Sequence, residues 1–487
     1  PLVRVETHLS NGLPAFHIVG LPETAVRESK DRVRSAILNS HFAFPDRRIT
    51  VNLAPADLPK GGGRFDLPIA LGILAASGQV PPDRLPEHEF LAELALDGSL
   101  RPVSGVVAAA IAASAEGRRL VLATAGAGSA AHVPGSRIIA PRDILILCAH
   151  LNGSEDIPET TAEETHNSAD HPDLSDVVGQ AGARRALEIA AAGGHNLLLC
   201  GPPGTGKTLL ASRLPGILPP PPHEDLLLGL ALRDVHLRPG ACDASAYRPF
   251  RSPHHSASAA ALVGGGSIPR PGEVSLAHGG VLFLDELPEF TRHSLETLRE
   301  PLETGEITLS RTQHRITYPA RVQLVAAMNP CPCGYLGDPE RACRCTPQQV
   351  QQYRSRLSGP LLDRIDLHVA VNRLPPADLL SPTGRAEPSN AVRARVTQCR
   401  FRQVARQGCA NAQLSPDCLA NMCQLAPQAR DQLESAARRM HLSGRGLHRT
   451  LRVARTIADL DGSDAVSKAH ISEALAYRLP TELSLIH

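Results

Sequence analysis

His195-Asn196-Leu197-Leu198-Leu199-Cys200-Gly201-Pro202-Pro203-Gly204-Thr205-Gly206-Lys207-Thr208 runs an apolar strand into a complete G-x-x-x-x-G-K-T loop, and a helix-compatible run, 209–214, follows it. Gly201, Gly204 and Gly206 let the backbone turn tightly and expose successive N–H groups, while the helix beginning near Lys207 points the positive end of its dipole at the same place. In such a loop the lysine, here Lys207, reaches the β- and γ-phosphates and the hydroxyl of Thr208 coordinates Mg²⁺. Pro202, Pro203 and Thr205 complete the cradle. The stretch implies binding and hydrolysis of a nucleoside triphosphate, ATP with Mg²⁺.

A second segment supports this reading. Gly279-Gly280-Val281-Leu282-Phe283-Leu284-Asp285-Glu286 has the pattern of a buried strand ending in two carboxylates. Next to a phosphate loop, Asp285 is placed to hold the Mg²⁺ and Glu286 to polarise the attacking water.

The 487 residues exceed what one core accommodates and suggest about three domains. Apolar content is ordinary and no uninterrupted span of about 18 apolar residues occurs, which argues for a non-membrane protein. A net charge of +1 neither requires nor excludes nucleic acid. Pro1 opens inside a strand-like run, so a few residues are expected to precede it. No signal peptide is visible in the residues given. Eleven scattered cysteines in an ATPase suit reduced thiols and a cytoplasmic location.

The stretch 152–172 is polar, acidic and without apolar periodicity, and reads as a linker. Before it, 1–151 alternates strand-like segments (48–53, 119–123) with helix-like ones (22–39, 66–76, 106–115), an α/β or α+β unit. The ATPase core takes 173–376, ending at the Leu374-Pro375-Pro376 step. Beyond, 377–487 carries only helical patterns, at 389–407, 416–424, 427–440, 446–459 and 468–477, which predicts an all-helical lid.

Cys331-Pro332-Cys333 and Cys343-Arg344-Cys345 fall within fifteen residues. Four thiolates around a Gly- and Pro-containing loop suit a tetrahedral structural Zn²⁺. The C-x-C spacing is tighter than the usual C-x-x-C, so reduced, unliganded thiols remain the alternative. Residues 305–318 read as two short strands around a polar, basic turn.

Beyond the nucleotide motifs, long strings match one family: LSDVVGQ (174–180), RSPHHSAS (251–258), GEVSLAH (272–278), AAMNP (326–330), LLDRID (361–366) and VARTIADL (453–460). They cover essentially the whole chain. It resembles the AAA+ branch that holds magnesium-chelatase ATPase subunits and the MCM helicases, and within it the bacterial ComM proteins, which are hexameric DNA helicases driving branch migration during natural transformation. The resemblance implies an α/β multidomain chain. Its parts are a degenerate Lon-protease-like α+β domain, an AAA+ phosphate-loop core of the helix-2-insert, pre-sensor-1-hairpin branch, and a helical lid.

The resemblance also implies residue roles. Asn329 matches sensor 1, an amide that orients the attacking water. Arg364 matches the arginine finger offered to a neighbouring subunit's nucleotide, worth roughly 10³–10⁵ in rate. Sensor 2 falls best on Arg445, with Arg449 one helical turn later as the alternative. The inserts at 254–274 and 305–318 project into the ring's pore in helicase relatives. Arg311, His314 and Arg315 are then expected to contact DNA phosphates, independently of base sequence.

In the first domain, Lon proteases carry a nucleophilic serine where this chain has Pro59-Lys60-Gly61-Gly62-Gly63-Arg64-Phe65-Asp66, and a lysine near Ser104-Gly105-Val106-Val107; neither residue occurs there. A Ser–Lys dyad needs both partners, so a role in ring assembly or in binding DNA or a partner, such as recombination proteins, is expected instead of peptidase activity. The competing function is a chelatase-type protein-remodelling ATPase, in which phosphate loop, sensors and finger would look the same.

Overall fold

The computed structural model describes residues 2–58, 60–162, 171–238, 240, 248–266, 269–310, 315–375 and 386–478. The chain divides into two compact units, one of residues 1–166 with 227–245, the other of 167–226 with 246–487.

The first unit is built on two small sheets. In one, Arg48–Ala54 is the middle strand, antiparallel to Arg4–Ser10 and parallel to Ala15–Val19. Its alternation sends Ile49, Val51 and Leu53 into the core and leaves the intervening residues half-exposed. The other sheet is parallel, with Arg119–Leu122 between His88–Leu91 and Arg137–Ile139. Helix Asp66–Ala76 buries Leu67, Ile69, Ala70, Leu71, Ile73 and Leu74, apolar on every side as a central helix must be. Asp66 at its start is fully buried and receives two hydrogen bonds from Arg32, at 2.7 and 3.1 Å.

The helix expected over 22–39 is broken. It forms as Thr24–Arg27 and Ser29–Asn39, with Glu28 between them still in the right-handed helical region and the Ser29 hydroxyl donating to Val26 O at 2.7 Å across the step. The polar stretch from 152 is likewise anchored further than its composition suggests: Thr160 N donates to Ile138 O at 2.8 Å, Glu159 pairs with Arg137, and Ile157 packs on the core.

Helix His223–His236 contributes its residues from 227 onward to this first unit. Its Asp234 carboxylate accepts from Gly105 N at 2.8 Å and Val107 N at 3.4 Å, filling orphan donors at the start of helix Val106–Ala115.

The second unit is organised by a five-stranded, wholly parallel sheet in the order Phe250–Arg251, Val281–Leu284, Gln323–Met328, Leu197–Cys200, Leu367–Ala370. Strand Leu197–Cys200 is buried on both faces, which is why it reads as an unbroken apolar run. Leu197 and Leu199 face one core with Phe283, Val325 and Ala327; Leu198 and Cys200 face another with Leu282, Leu284 and Leu324. The first of these cores also takes in Val392 and Val396 of helix Ser389–Gln407, Val453 and Ile457 of helix Gly444–Leu460, and Ile471 of helix Lys468–Ala476. The C-terminal helices therefore share a hydrophobic interior with the sheet. Helix Pro416–Met422 and helix Pro427–Arg439 complete them.

The two strands expected within 305–318 pair, Glu306–Ser310 antiparallel to Arg315–Pro319 with Ile307 opposite Tyr318; the turn expected between them, 311–314, lies outside the described residues. Among the described residues no helix is long and apolar enough to cross a membrane.

Candidate functional site

The loop after Leu197–Cys200 is shaped by close approach and by positive φ. A Cβ on Gly201 would stand 2.1 Å from Val371 O, so no side chain fits there. Gly204 and Gly206 adopt φ of +79° and +87°, the left-handed region open to glycine, and Gly206 caps helix Lys207–Ile217. Thr205 Oγ1 donates to Pro202 O at 3.0 Å and braces the turn. The loop thus sits at the carboxyl end of an inner strand, between Gln323–Met328 and Leu367–Ala370, where open parallel sheets bind ligands.

Three further elements converge on it. Lys207 Nζ donates to Gly201 O and Pro202 O, both at 2.8 Å, and to Asn329 Oδ1 at 3.1 Å. Burial pulls the pKa of this ammonium below its ordinary value. Thr208 Oγ1 donates to Asp285 Oδ2 at 2.7 Å, and the other Asp285 oxygen accepts from Glu286 N at 2.9 Å. Glu286 has φ +51°, an unfavourable conformation for a residue with a side chain, and His255 Nδ1 lies 3.2 Å from its Oε2. Strands Val281–Leu284 and Gln323–Met328 end side by side, which brings Asp285 and Asn329 to the same edge. Phosphate-loop residues, both carboxylates and the amide are thereby gathered at one place.

Arg364 is not joined to that cluster within the chain. Its guanidinium donates to Pro360 O at 2.7 Å and to Glu303 Oε2, and its side chain is 14 % exposed. Arg445 stands exposed on the first turn of helix Gly444–Leu460. Arg449 is buried and bonds Leu362 O, Ile365 O and Asp363 Oδ1 at 3.3, 3.1 and 2.8 Å, holding the segment that carries Arg364.

Several residues without an assigned role in the sequence reading prove structural to the site. Asn196 Nδ2 donates to Arg364 O at 2.8 Å while its Oδ1 accepts from Leu324 N, also at 2.8 Å. His195 is fully buried between Asp366 Oδ2, 2.9 Å from Nδ1, and Thr456 Oγ1, 2.8 Å from Nε2. The available signal was a polar pair directly preceding a fully apolar strand. Such a pair at the base of a buried strand needs partners. Arg251 and Glu273, from two of the family strings, form a bidentate pair at 2.7 and 2.8 Å.

The four cysteines come together. Their sulfurs lie within 4.8 Å of one another, with Cys331–Cys333 at 3.4 Å and Cys331–Cys343 and Cys333–Cys343 at 3.6 Å. Cys333 N points at Cys345 Sγ and Cys345 N at Cys343 Sγ, each at 3.4 Å. Backbone amides of Arg344 and Tyr335 hold the Cys333 thiol down to about 6, whereas burial pushes Cys331 up to about 12.

In the hairpin, Arg315 is described and exposed; Arg311 and His314 lie outside the described residues. Tyr318 Oη donates to Pro269 O at 3.0 Å and ties the hairpin to the insert that contains the two-stranded ribbon Gly264–Gly265 and Arg270–Pro271.

Three family profiles match the chain: Magnesium chelatase, subunit ChlI, over residues 173–379; Subunit ChlI of Mg-chelatase over 5–126; and Magnesium chelatase, subunit ChlI C-terminal, over 386–478. The chain is 49 % identical over 489 residues to Competence protein ComM of Haemophilus influenzae, covering 99 % of this chain and 96 % of that protein. It is also 49 % identical over 488 residues to the uncharacterized protein YifB of Escherichia coli K12, covering 100 % of this chain and 96 % of that protein. An uncharacterized Mycobacterium tuberculosis protein is 44 % identical over 486 residues, 98 % of this chain and 95 % of its own length.

Proposed function

We propose that this chain, which belongs to the magnesium-chelatase-like AAA+ ATPase family of ComM and YifB, is an ATP-driven ring motor that moves branch points in DNA. The observation that carries the reading is the convergence of Lys207, Thr208, Asp285 and Asn329 at the mouth of one glycine-shaped loop. ATP phosphates lie on the loop amides and Lys207. Thr208 and Asp285 offer the hard oxygen donors that Mg²⁺ takes, and the ion neutralises charge developing on the phosphates. Glu286 polarises water, Asn329 orients it, and Arg364 reaches the nucleotide of a neighbouring protomer in a hexamer once Glu303 releases it. Arg445, with its side chain free of the contacts that occupy Arg449, serves as sensor 2.

Cys331, Cys333, Cys343 and Cys345 hold a structural Zn²⁺. Zinc–sulfur bonds of about 2.3 Å in a tetrahedron place sulfurs about 3.8 Å apart, close to the spacing described above, and the amide donors to sulfur favour thiolates.

Arg315, with Arg311 and His314, contacts DNA phosphates in the ring's pore. The domain scheme is a Lon-like unit without a Ser–Lys dyad at 1–151, a linker at 152–172, the AAA+ core at 173–376 and the lid at 377–487. The protein works in the cytoplasm, in natural transformation and homologous recombination alongside recombination proteins.

The test is branch migration and unwinding of a synthetic four-way DNA junction by purified protein with ATP. Arg311→Ala with Arg315→Ala should remove DNA stimulation of ATP hydrolysis and keep basal hydrolysis and ring assembly. Absence of both junction processing and DNA stimulation in the wild type returns the chelatase-type remodelling motor to the front.

A further inference from the structure

Gly334 carries φ +84° and is buried against the phosphate loop. A Cβ built on it would stand 2.6 Å from Pro203 Cδ, 3.3 Å from Pro203 Cγ and 3.8 Å from Asn329 Cγ. Both features demand glycine, and both concern a residue that directly follows Cys333. Gly334 N donates to Cys331 O at 2.9 Å, so 331–334 is a tight turn with sulfur ligands inside and Pro203 resting on its outer surface.

This stretch is pinned at each end. Asn329, two residues before Cys331, accepts from Lys207; Arg354, at the end of helix Pro347–Arg354, donates to Pro330 O. Between Leu336 and Thr346 no apolar residue is buried, so that segment has little hydrophobic packing to define its shape. Its shape is set by the sulfur cluster together with polar contacts: Arg373 pairs with Asp338 and Glu340, and the Asp338 carboxylate accepts from Glu340 N and Arg341 N.

We propose that the four-cysteine loop is a positioning element of the nucleotide site: metal bound by the four cysteines seats Gly334 against Pro203, and metal occupancy thereby sets the affinity of the phosphate loop for ATP. The proposal rests on the zinc and ATP readings given above. Mechanically, the bound ion closes 331–345 on itself, which fixes the turn at Gly334, which buttresses Pro202-Pro203 from outside and Asn329 from the side. Loss of the ion frees the turn, and the loop amides then have to be ordered by the nucleotide itself, which lowers affinity.

The experiment measures two quantities on the full chain: zinc per protomer by atomic emission, and Kd for a fluorescent ATP analogue with Mg²⁺. Wild type should hold about one zinc. Cys343→Ser with Cys345→Ser should retain less than about a tenth of it and bind the analogue roughly tenfold more weakly, as when an outer support of a site is lost. Gly334→Ala should keep its zinc yet show the same weakening, and it carries the test if the serine variant does not fold. Zinc loss with Kd changed by less than about twofold overturns the coupling, as does a Gly334→Ala variant unchanged in Kd. A zinc-free wild type overturns the metal reading, and a wild type that does not bind the analogue overturns the ATP reading, so each failure is separately visible.

Discussion

Lys207 Nζ lies 3.1 Å from Asn329 Oδ1, a hydrogen bond between residues 122 positions apart that closes the phosphate loop from the side. The ammonium also bonds two carbonyls of its own loop, so its three protons are all placed. Lys207→Ala should abolish nucleotide binding and with it hydrolysis. Asn329→Ala should leave the affinity within a few-fold and reduce kcat by roughly 10²-fold, the usual cost of one oriented polar group. Steady-state hydrolysis beside nucleotide titration separates the two; equal loss of affinity in both variants would reduce Asn329 to a partner of Lys207.

Arg364 folds back on Pro360 and Glu303 within its own protomer. If it acts in trans, Arg364→Ala should lower kcat by roughly 10³-fold or more with nucleotide binding intact. Mixing it with Lys207→Ala should then restore activity, because an intact loop of one variant meets an intact arginine of the other. Rings that stay inactive at every mixing ratio would show that the arginine works only within its own chain.

His195 joins Asp366 to Thr456 and is fully buried. Truncating it leaves a void and takes the hydrogen bond from Asp366 Oδ2, worth about 1–3 kcal/mol, while Thr456 Oγ1 keeps its bonds to Arg452 O and Asn411 Nδ2. His195→Ala should therefore destabilise the second unit by about 2–4 kcal/mol, read as a lower midpoint in urea unfolding. A midpoint matching wild type would show that the trio is dispensable.

His368 is buried, donates from Nε2 to Ile365 O at 3.1 Å, and is pushed down to about 4 by burial and by Arg478 and Arg449 nearby. An unfolded histidine titrates near 6.5, so between those values the unfolded chain binds the extra proton. Stability contributed here is complete above about pH 6.5 and is lost as pH falls toward 4, by up to about 3 kcal/mol. The melting temperature of wild type should fall more steeply with decreasing pH across that window than that of His368→Gln. Parallel curves would remove His368 as the source.

The strand, loop and helix at 197–217 were legible because they are specified locally. A loop that binds phosphate through its own amides needs its glycines, lysine and threonine at fixed spacing, and a strand buried on both faces must be apolar throughout. The same holds for helix Asp66–Ala76, an unbroken apolar run, and for Ser389–Gln407, whose end follows from Gly408 with φ +76°, a glycine past the last turn. The step at Glu28 was illegible, since Glu28 itself keeps helical dihedrals and nothing in the local pattern marks it.

By itself, then, the sequence determined the strand, phosphate loop and helix-compatible run from 195 to 214, the carboxylates after a second strand, the two strands within 305–318 and the cysteine pairs, because each is specified by residues close together in the chain. Only the tertiary structure decided that residues 227–245 leave the ATPase stretch to cap a helix of the first unit with Asp234, that Arg449 is spent on the segment carrying Arg364, and that Gly334 rests on Pro203. Those contacts join residues tens to more than a hundred positions apart, and their existence depends on how strands are ordered in a sheet and which surfaces are left to bury, quantities that no local pattern encodes.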